Sequence, residues 1–178
     1  TENSDRLLDP RMPQVRQALA IDETRVQFGR VTWGGSANQA QVDEFRFKQR
    51  WFAGNHSDIG GSYAEEESRL SDISLKRMVE QALALPHPIL VDWTKLHLYP
   101  DATGAQHCEV FAQQQGPWWA RLVPWPSAPR HIKEGAELDP TVLERFEAAC
   151  VLACDQKAAY RPEALRHHNA VKHYYPAR

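Results

Sequence analysis

Between Gln49 and Tyr63 a strand-like stretch, Trp51-Phe52-Ala53, runs straight into a polar loop that closes on Gly60 and Gly61 and presents one histidine, His56. Gly54, Gly60 and Gly61 can take backbone angles closed to other residues, so the chain can turn sharply after the strand and hold His56, Ser57 and Asp58 at the mouth of a sheet. This constrains the fold more than any other feature, because it needs a buried strand beneath a displayed side chain. A histidine so placed is a candidate general base, since neutral imidazole can accept a hydroxyl proton and return it to a leaving group. The plainer reading is a loop histidine that caps backbone groups.

The 178 residues suit one domain, and 42% hydrophobic with 25% charged residues provide for a packed core. A formal net charge of -2 gives no electrostatic footprint for a phosphate backbone, so nucleic acid is not an expected partner. No signal peptide and no apolar run of membrane-spanning length is visible. Cys108, Cys150 and Cys154 are odd in number and lack the spacing of a disulfide framework, which points to synthesis in a reducing cytoplasm. Cys150 and Cys154 would share one face of a helix over 144–158, as core packing rather than as metal ligands.

Pro13 permits a helix start ahead of Val15, Ala18, Leu19 and Ile21. Gly34 to Gln39 reads as a turn, and Phe45 to Phe52 as a buried strand. Ser71 with Asp72 is a natural N-cap for a helix carrying Leu75, Met78, Val79 and Ala82 and stopped by Pro86. Asp139-Pro140 begins a second helix through Leu143, Phe146 and Val151. Between them, Pro86 to Pro140 is a proline-punctuated, aromatic-rich, irregular excursion with short strands, and Tyr160-Arg161-Pro162 turns into a tail holding His167, His168 and His173. No repeat or low-complexity linker divides the chain.

The stretch W-F-x-G-x-H-S-D-I-G-G-x-Y, followed by Leu70-Ser71-Asp72-Ile73, resembles the signature of a family of α/β-hydrolase domains whose best-understood members are type VI secretion phospholipase effectors. Ala18-Leu19-Ala20-Ile21-Asp22-Glu23-Thr24-Arg25, Leu138 to Arg145 and Tyr160 to Leu165 match in the same order. The sequence departs from the family pattern at Gln17, where a histidine is expected, and at Ser62 in the glycine stretch. The resemblance implies an α/β fold, with this chain as the C-terminal portion of one α/β-hydrolase domain and the half bearing the serine elbow outside it. It also implies a carboxylic ester hydrolase of phospholipase type, a secreted antibacterial toxin needing no signal peptide, and an immunity or delivery protein as partner.

Serine hydrolases of this kind carry the nucleophile on a G-x-S-x-G elbow. Gly34-Gly35-Ser36-Ala37-Asn38 fails at its last position, and Gly60-Gly61-Ser62-Tyr63-Ala64 ends in alanine. The nucleophile is therefore expected from an upstream or separate segment, with His56 as base and acid for a phospholipid or other acyl ester. The triad acid is Asp22 or a carboxylate in the upstream segment, Asp22 being equally readable as part of a salt-bridge cluster. Asp58 takes a supporting role, orienting the loop through backbone N–H groups. A metal reading would complete His56-x-Asp58 with His87, His97, His107 or the tail histidines, but none falls in a recognised ligand spacing, so no metal or cofactor is expected.

Trp118, Trp119 and Trp125 have two readings: burial beneath the excursion, which is the default, or an amphipathic lip that meets lipid. From a different functional class, a degenerate or truncated hydrolase-like module that binds a partner chain or membrane without turnover fits the missing elbow.

Overall fold

The computed structural model describes residues 11–29, 46–110, 116–122 and 125–176. The expected turn Gly34 to Gln39, and Ser36 with it, lies outside the described residues.

At the centre, β1 (Val15–Ala20) and β2 (Phe47–Phe52) pair in parallel, Val15 opposite Phe47 through to Ala20 opposite Phe52. The helix expected over β1 is thus corrected to a strand. Val15, Ala18 and Leu19 fit either period over so short a window, and burial on both faces decides the outcome. Leu19 and Ile21 pack with Trp51 and Ala53 on one side of the pair, whereas Ala18 meets Phe52, Leu70 and Ile73 on the other. Gln17, one of the departures from the family pattern, faces Gln49 in this register and accepts its side-chain amide at 2.7 Å.

The far edge of β2 is taken by Glu137 to Asp139, again in parallel: Trp51 N–H donates to Glu137 O at 2.9 Å and Asp139 N–H to Trp51 O at 2.8 Å. The chain then enters a helix at once, because Asp139 caps it by accepting Thr141 N–H and Pro140 fills its first turn.

Among the described residues two helices flank this sheet, and a short one sits at its mouth. The short one, α1 (His56–Gly60), follows β2 after three residues. The longer α2 (Arg69–Leu83) buries Leu70 and Ile73 against Phe52. It begins before Ser71, whose hydroxyl donates back to Ser68 O as a residue of the first turn, and Leu75 is exposed rather than on the buried stripe. On the opposite face, α3 (Pro140–Glu147) supplies Val142 and Phe146 to a core completed by Tyr160, Leu165 and Val171.

The helix expected to continue through Val151 stops at Glu147, where Ala148 is extended. A hairpin follows, β3 (Val151–Ala153) antiparallel to β4 (Gln156–Ala158), and its two turn residues Cys154 and Asp155 both have positive φ, 52° and 59°. Two left-handed residues match the twist of the flanking strands. Cys150 and Cys154 therefore share no helix face: Cys150 is free and exposed, and Cys154 forms a disulfide with Cys108, their Cα atoms 5.0 Å apart. This corrects the expectation that the cysteines stay unpaired.

The described residues between 84 and 139 are largely irregular, with a short 3₁₀ turn at Trp118–Leu122. Among the described residues the short strands expected there reduce to isolated bridges, Arg25 with Ser127, Gln106 with Ala153, and Leu138 with Trp51. Arg145, fully buried on α3, anchors the segment by donating to Ala102 O and Gly104 O at 2.7 and 2.8 Å. Default burial of the tryptophans is corrected as well: Trp118 and Trp119 are 73% and 63% exposed. Among the described residues no helix is long and apolar enough to cross a membrane.

Candidate functional site

The turn that presents His56 is built by three side chains and a glycine. Gly54 leaves β2 with φ 118°, and a Cβ there would lie 2.5 Å from that of Asp58, so only glycine fits. Asn55 then caps α1: its side-chain oxygen accepts Ser57 N–H and Asp58 N–H at 2.8 and 2.9 Å. Asp58 returns the bond by accepting Asn55 N–H at 2.9 Å, which closes a capping box around His56.

His56 opens α1 with its side chain exposed. Its backbone N–H donates to Glu23 Oε2 at 3.2 Å, and its ring meets Phe28 with centroids 5.1 Å apart. Among the described residues its imidazole nitrogens make no hydrogen bond. His168, in contrast, uses both nitrogens on backbone, Nε2 on Ala136 O at 2.8 Å and Nδ1 on Ala170 N–H at 3.2 Å.

Asp58 turns its other oxygen to a different histidine, His107, whose Nδ1 lies 2.8 Å from Oδ1. His107 N–H also donates to Asp58 Oδ2 at 3.2 Å, and His107 O accepts the Asn55 side-chain amide at 3.0 Å. Burial raises the Asp58 carboxyl pKa, against the lowering pull of the His107 and Asn55 bonds. Tyr63 stacks on the His107 ring at 3.6 Å, accepts from Asn55 and donates to Glu109. Glu67 lies 3.3 Å from His107 Nε2.

Asp22 makes no hydrogen bond to the His56 ring. It accepts Gly54 N–H and the Tyr160 hydroxyl, each at 2.7 Å, and burial pushes its carboxyl from 3.8 up to about 6. The carboxylate that touches His56 is its neighbour Glu23, which grips Arg25 through both oxygens at 2.9 and 2.7 Å. Burial opposes ionisation of Glu23, yet the bonds from Arg25 and His56 outweigh it and lower the pKa. The Arg25 guanidinium lies 3.9 Å from the centre of the Phe28 ring, so Glu23, Arg25, Phe28 and His56 form one contiguous group.

Beside the turn opens a cavity of about 360 Å³ walled by Asp22, Glu23, Arg25, Asn55 and the Cys108–Cys154 disulfide. Ser62 follows α1 and precedes a 3₁₀ turn, Glu65–Glu67, so it lacks the strand-to-helix setting of a nucleophile elbow. Trp118 and Trp119 stand exposed on their own short turn, and Trp125 lies under Arg25, 5.5 Å from the guanidinium to the ring centre. Among the described residues no group of three or more histidine, cysteine or acidic side chains is placed to hold a metal.

The sequence does not single out Glu23, Asn55, Tyr63 and Tyr160 as site residues, and it offers His107 only within the metal reading. Asn55-x-x-Asp58 did carry the spacing of a capping box. His107 and Tyr160 reach their partners from distant parts of the chain and have no local signal.

The site thus brings together a displayed histidine, a capped turn off a parallel strand and a neighbouring cavity with a buried acid. Residues 1–81 match the family described as "T6SS, Phospholipase effector Tle1-like, catalytic domain". No curated protein and no solved structure matches the chain.

Proposed function

We propose that this chain is the C-terminal part of an α/β-hydrolase catalytic domain of a phospholipase effector, with His56 as general base and acid for a serine carried by an upstream or separate segment. The observation that carries the reading is the His56 imidazole, which makes no hydrogen bond among the described residues, at the start of a doubly capped turn: its backbone is fixed, while its ring nitrogens are available for proton transfer. The family match over residues 1–81 supports hydrolysis of a phospholipid ester, delivery by a type VI machine to a target cell, and an immunity partner in the producing cell. The parallel order of β1, β2 and Glu137 to Asp139 suits a doubly covered sheet of the α/β class, whose next strand would pair with the outer edge of β1.

In this mechanism His56 takes the serine proton as the hydroxyl attacks the acyl carbon, then gives it to the leaving alcohol oxygen. The acid that steadies the imidazolium comes from the upstream segment, because Asp22 is engaged by Gly54 and Tyr160. Asp58 supports the turn.

The test is fluorophosphonate labelling of the full natural protein, read by intact mass and peptide mapping, beside phospholipid hydrolysis by His56→Ala. Label on a serine outside residues 1–178, lost in the variant together with about 10³-fold or more of turnover, is expected. Full activity in a folded His56→Ala variant overturns the catalytic assignment. No label on folded protein favours the noncatalytic binding module.

A further inference from the structure

His107 holds both residues that cap the His56 turn. It meets Asp58 through Nδ1 and through its own N–H, and it accepts the Asn55 side chain on its carbonyl. Asn55 and Asp58 flank His56 on either side, so the position of the turn depends on where residue 107 lies. His107 itself lies outside any helix or strand.

Arg145 on α3 holds the chain just before His107 at Ala102 O and Gly104 O, and the residues on either side of it, Gln106 and Cys108, are held by one hairpin. Gln106 N–H donates to Leu152 O at 2.9 Å, Cys154 N–H donates to Gln106 O at 3.1 Å, and the next residue after His107 is joined covalently to Cys154. Two backbone bonds at the rim of a three-residue strand are weak restraints, and a disulfide is a strong one. We propose that His107 is a positioning residue for the His56 turn and that the Cys108–Cys154 disulfide fixes it there, making the order of the turn respond to the thiol–disulfide state of this pair. The proposal rests on His56 being the acid–base residue only for its effect on turnover; the effect on the turn itself is independent of that reading.

The chemistry is thiol–disulfide exchange. Cys108 and Cys154 thiols give up two protons and two electrons as their S–S bond forms, and a low-molecular-weight disulfide such as oxidised glutathione takes them up and leaves as two thiols. Thiols persist in reducing compartments and disulfides in oxidising ones, so the clamp is open where the protein is made and closes after it leaves. The free Cys150 is exposed four residues from Cys154 and takes no part in the clamp.

The experiment compares the full natural protein equilibrated with oxidised glutathione and with dithiothreitol, alongside Cys108→Ser/Cys154→Ser, His107→Ala and His107→Asn. Hydrogen exchange at amides 55–58 and kcat and KM on a short-chain phosphatidylcholine are read in each state. Reduction of the parent should speed exchange at 55–58 by about tenfold or more and lower kcat by a similar factor with KM held, while the double serine variant stays at the reduced values under either condition. His107→Asn keeps a donor at the Nδ1 position and should recover much of what His107→Ala loses. The proposal is overturned if Cys108 and Cys154 remain thiols after equilibration, or if exchange at 55–58 is the same in both states. The reductant comparison uses one unaltered chain, so it stands even where His107→Ala fails to fold. A turn that tightens on oxidation in a protein with no turnover in any state would uphold the clamp and remove the catalytic reading of His56.

Discussion

Tyr160 donates its phenolic hydrogen to Asp22 at 2.7 Å, joining the core behind α3 to the end of β1. The tyrosine ring packs edge-on to Phe146 at 5.2 Å, with the Arg145 guanidinium 5.0 Å from its centre, so the hydroxyl can be removed without disturbing the packing. Its bond is one of the influences that hold the Asp22 pKa down against burial. Tyr160→Phe should cost about 1–3 kcal/mol in urea denaturation, as expected for losing a bond to a charged acceptor, and move the Asp22 titration above about 6. Carboxyl carbon chemical shifts followed against pH check the second part.

Asp22 also predicts a pH dependence of stability. Burial raises its carboxyl from 3.8 to about 6, so the folded state holds that proton more firmly than the unfolded state. The associated stability is complete below about pH 3.8 and is lost as pH rises through about 6. The difference is worth no more than about 3 kcal/mol, and less to the extent that water in the adjoining cavity solvates the ionised form. Urea midpoints measured from pH 4 to pH 7 should fall with rising pH in the parent relative to Asp22→Asn. Parallel curves for the two proteins would show that Asp22 titrates normally.

Gly54 is the residue on which the geometry of the turn depends. At φ 118° an alanine would be strained, and its Cβ would meet the Asp58 Cβ at 2.5 Å, against the side chain that closes the capping box. Gly54→Ala should destabilise the protein by about 2–4 kcal/mol, combining backbone strain with loss of a buried hydrogen-bond network. Gly61, at φ 75° and ψ 150°, is in a region that favours glycine but has open space around it, so Gly61→Ala should cost about 1–3 kcal/mol from backbone strain alone. Thermal melts of the two variants separate crowding from φ strain.

The parts of this fold visible in the sequence are those specified within a few residues. Asp139-Pro140 marks the start of α3 because a cap and a first-turn proline act locally. The strand–turn arrangement at Phe52 to His56 is readable because Gly54 stands where the chain must bend. β1 is not, since a short parallel strand buried on both faces shows no alternation and imitates a helix. The β3–β4 hairpin is hidden for another reason: its two left-handed positions hold Cys154 and Asp155 rather than the glycine that would announce them.

The site divides along the same line. His56 and Asp58 are legible because they lie on the turn, whereas His107 is 49 residues from Asp58 and is brought to it only by the packed fold. Glu23 was hidden behind Asp22: the two adjacent carboxyls point to different partners, one to Gly54 and Tyr160 and the other to Arg25 and the His56 backbone. Spacing alone cannot say which of two neighbouring acids faces a distant histidine.

Trp118 and Trp119 are exposed beside Leu122, also exposed, on a single short turn. Contiguous large apolar side chains in water are unfavourable for a lone domain, and indole rings are well matched to the boundary between headgroups and acyl chains. On the phospholipase reading this turn brings the enzyme to its substrate surface, which a soluble ester does not require. Replacing both tryptophans, Trp118→Ser with Trp119→Ser, should therefore lower the ratio of hydrolysis on phosphatidylglycerol vesicles to hydrolysis of a monomeric short-chain ester by roughly tenfold or more. Vesicle co-sedimentation should weaken in parallel. An unchanged ratio with unchanged sedimentation would exclude these two side chains from membrane contact, and their exposure would then have to be explained by a protein surface that covers them.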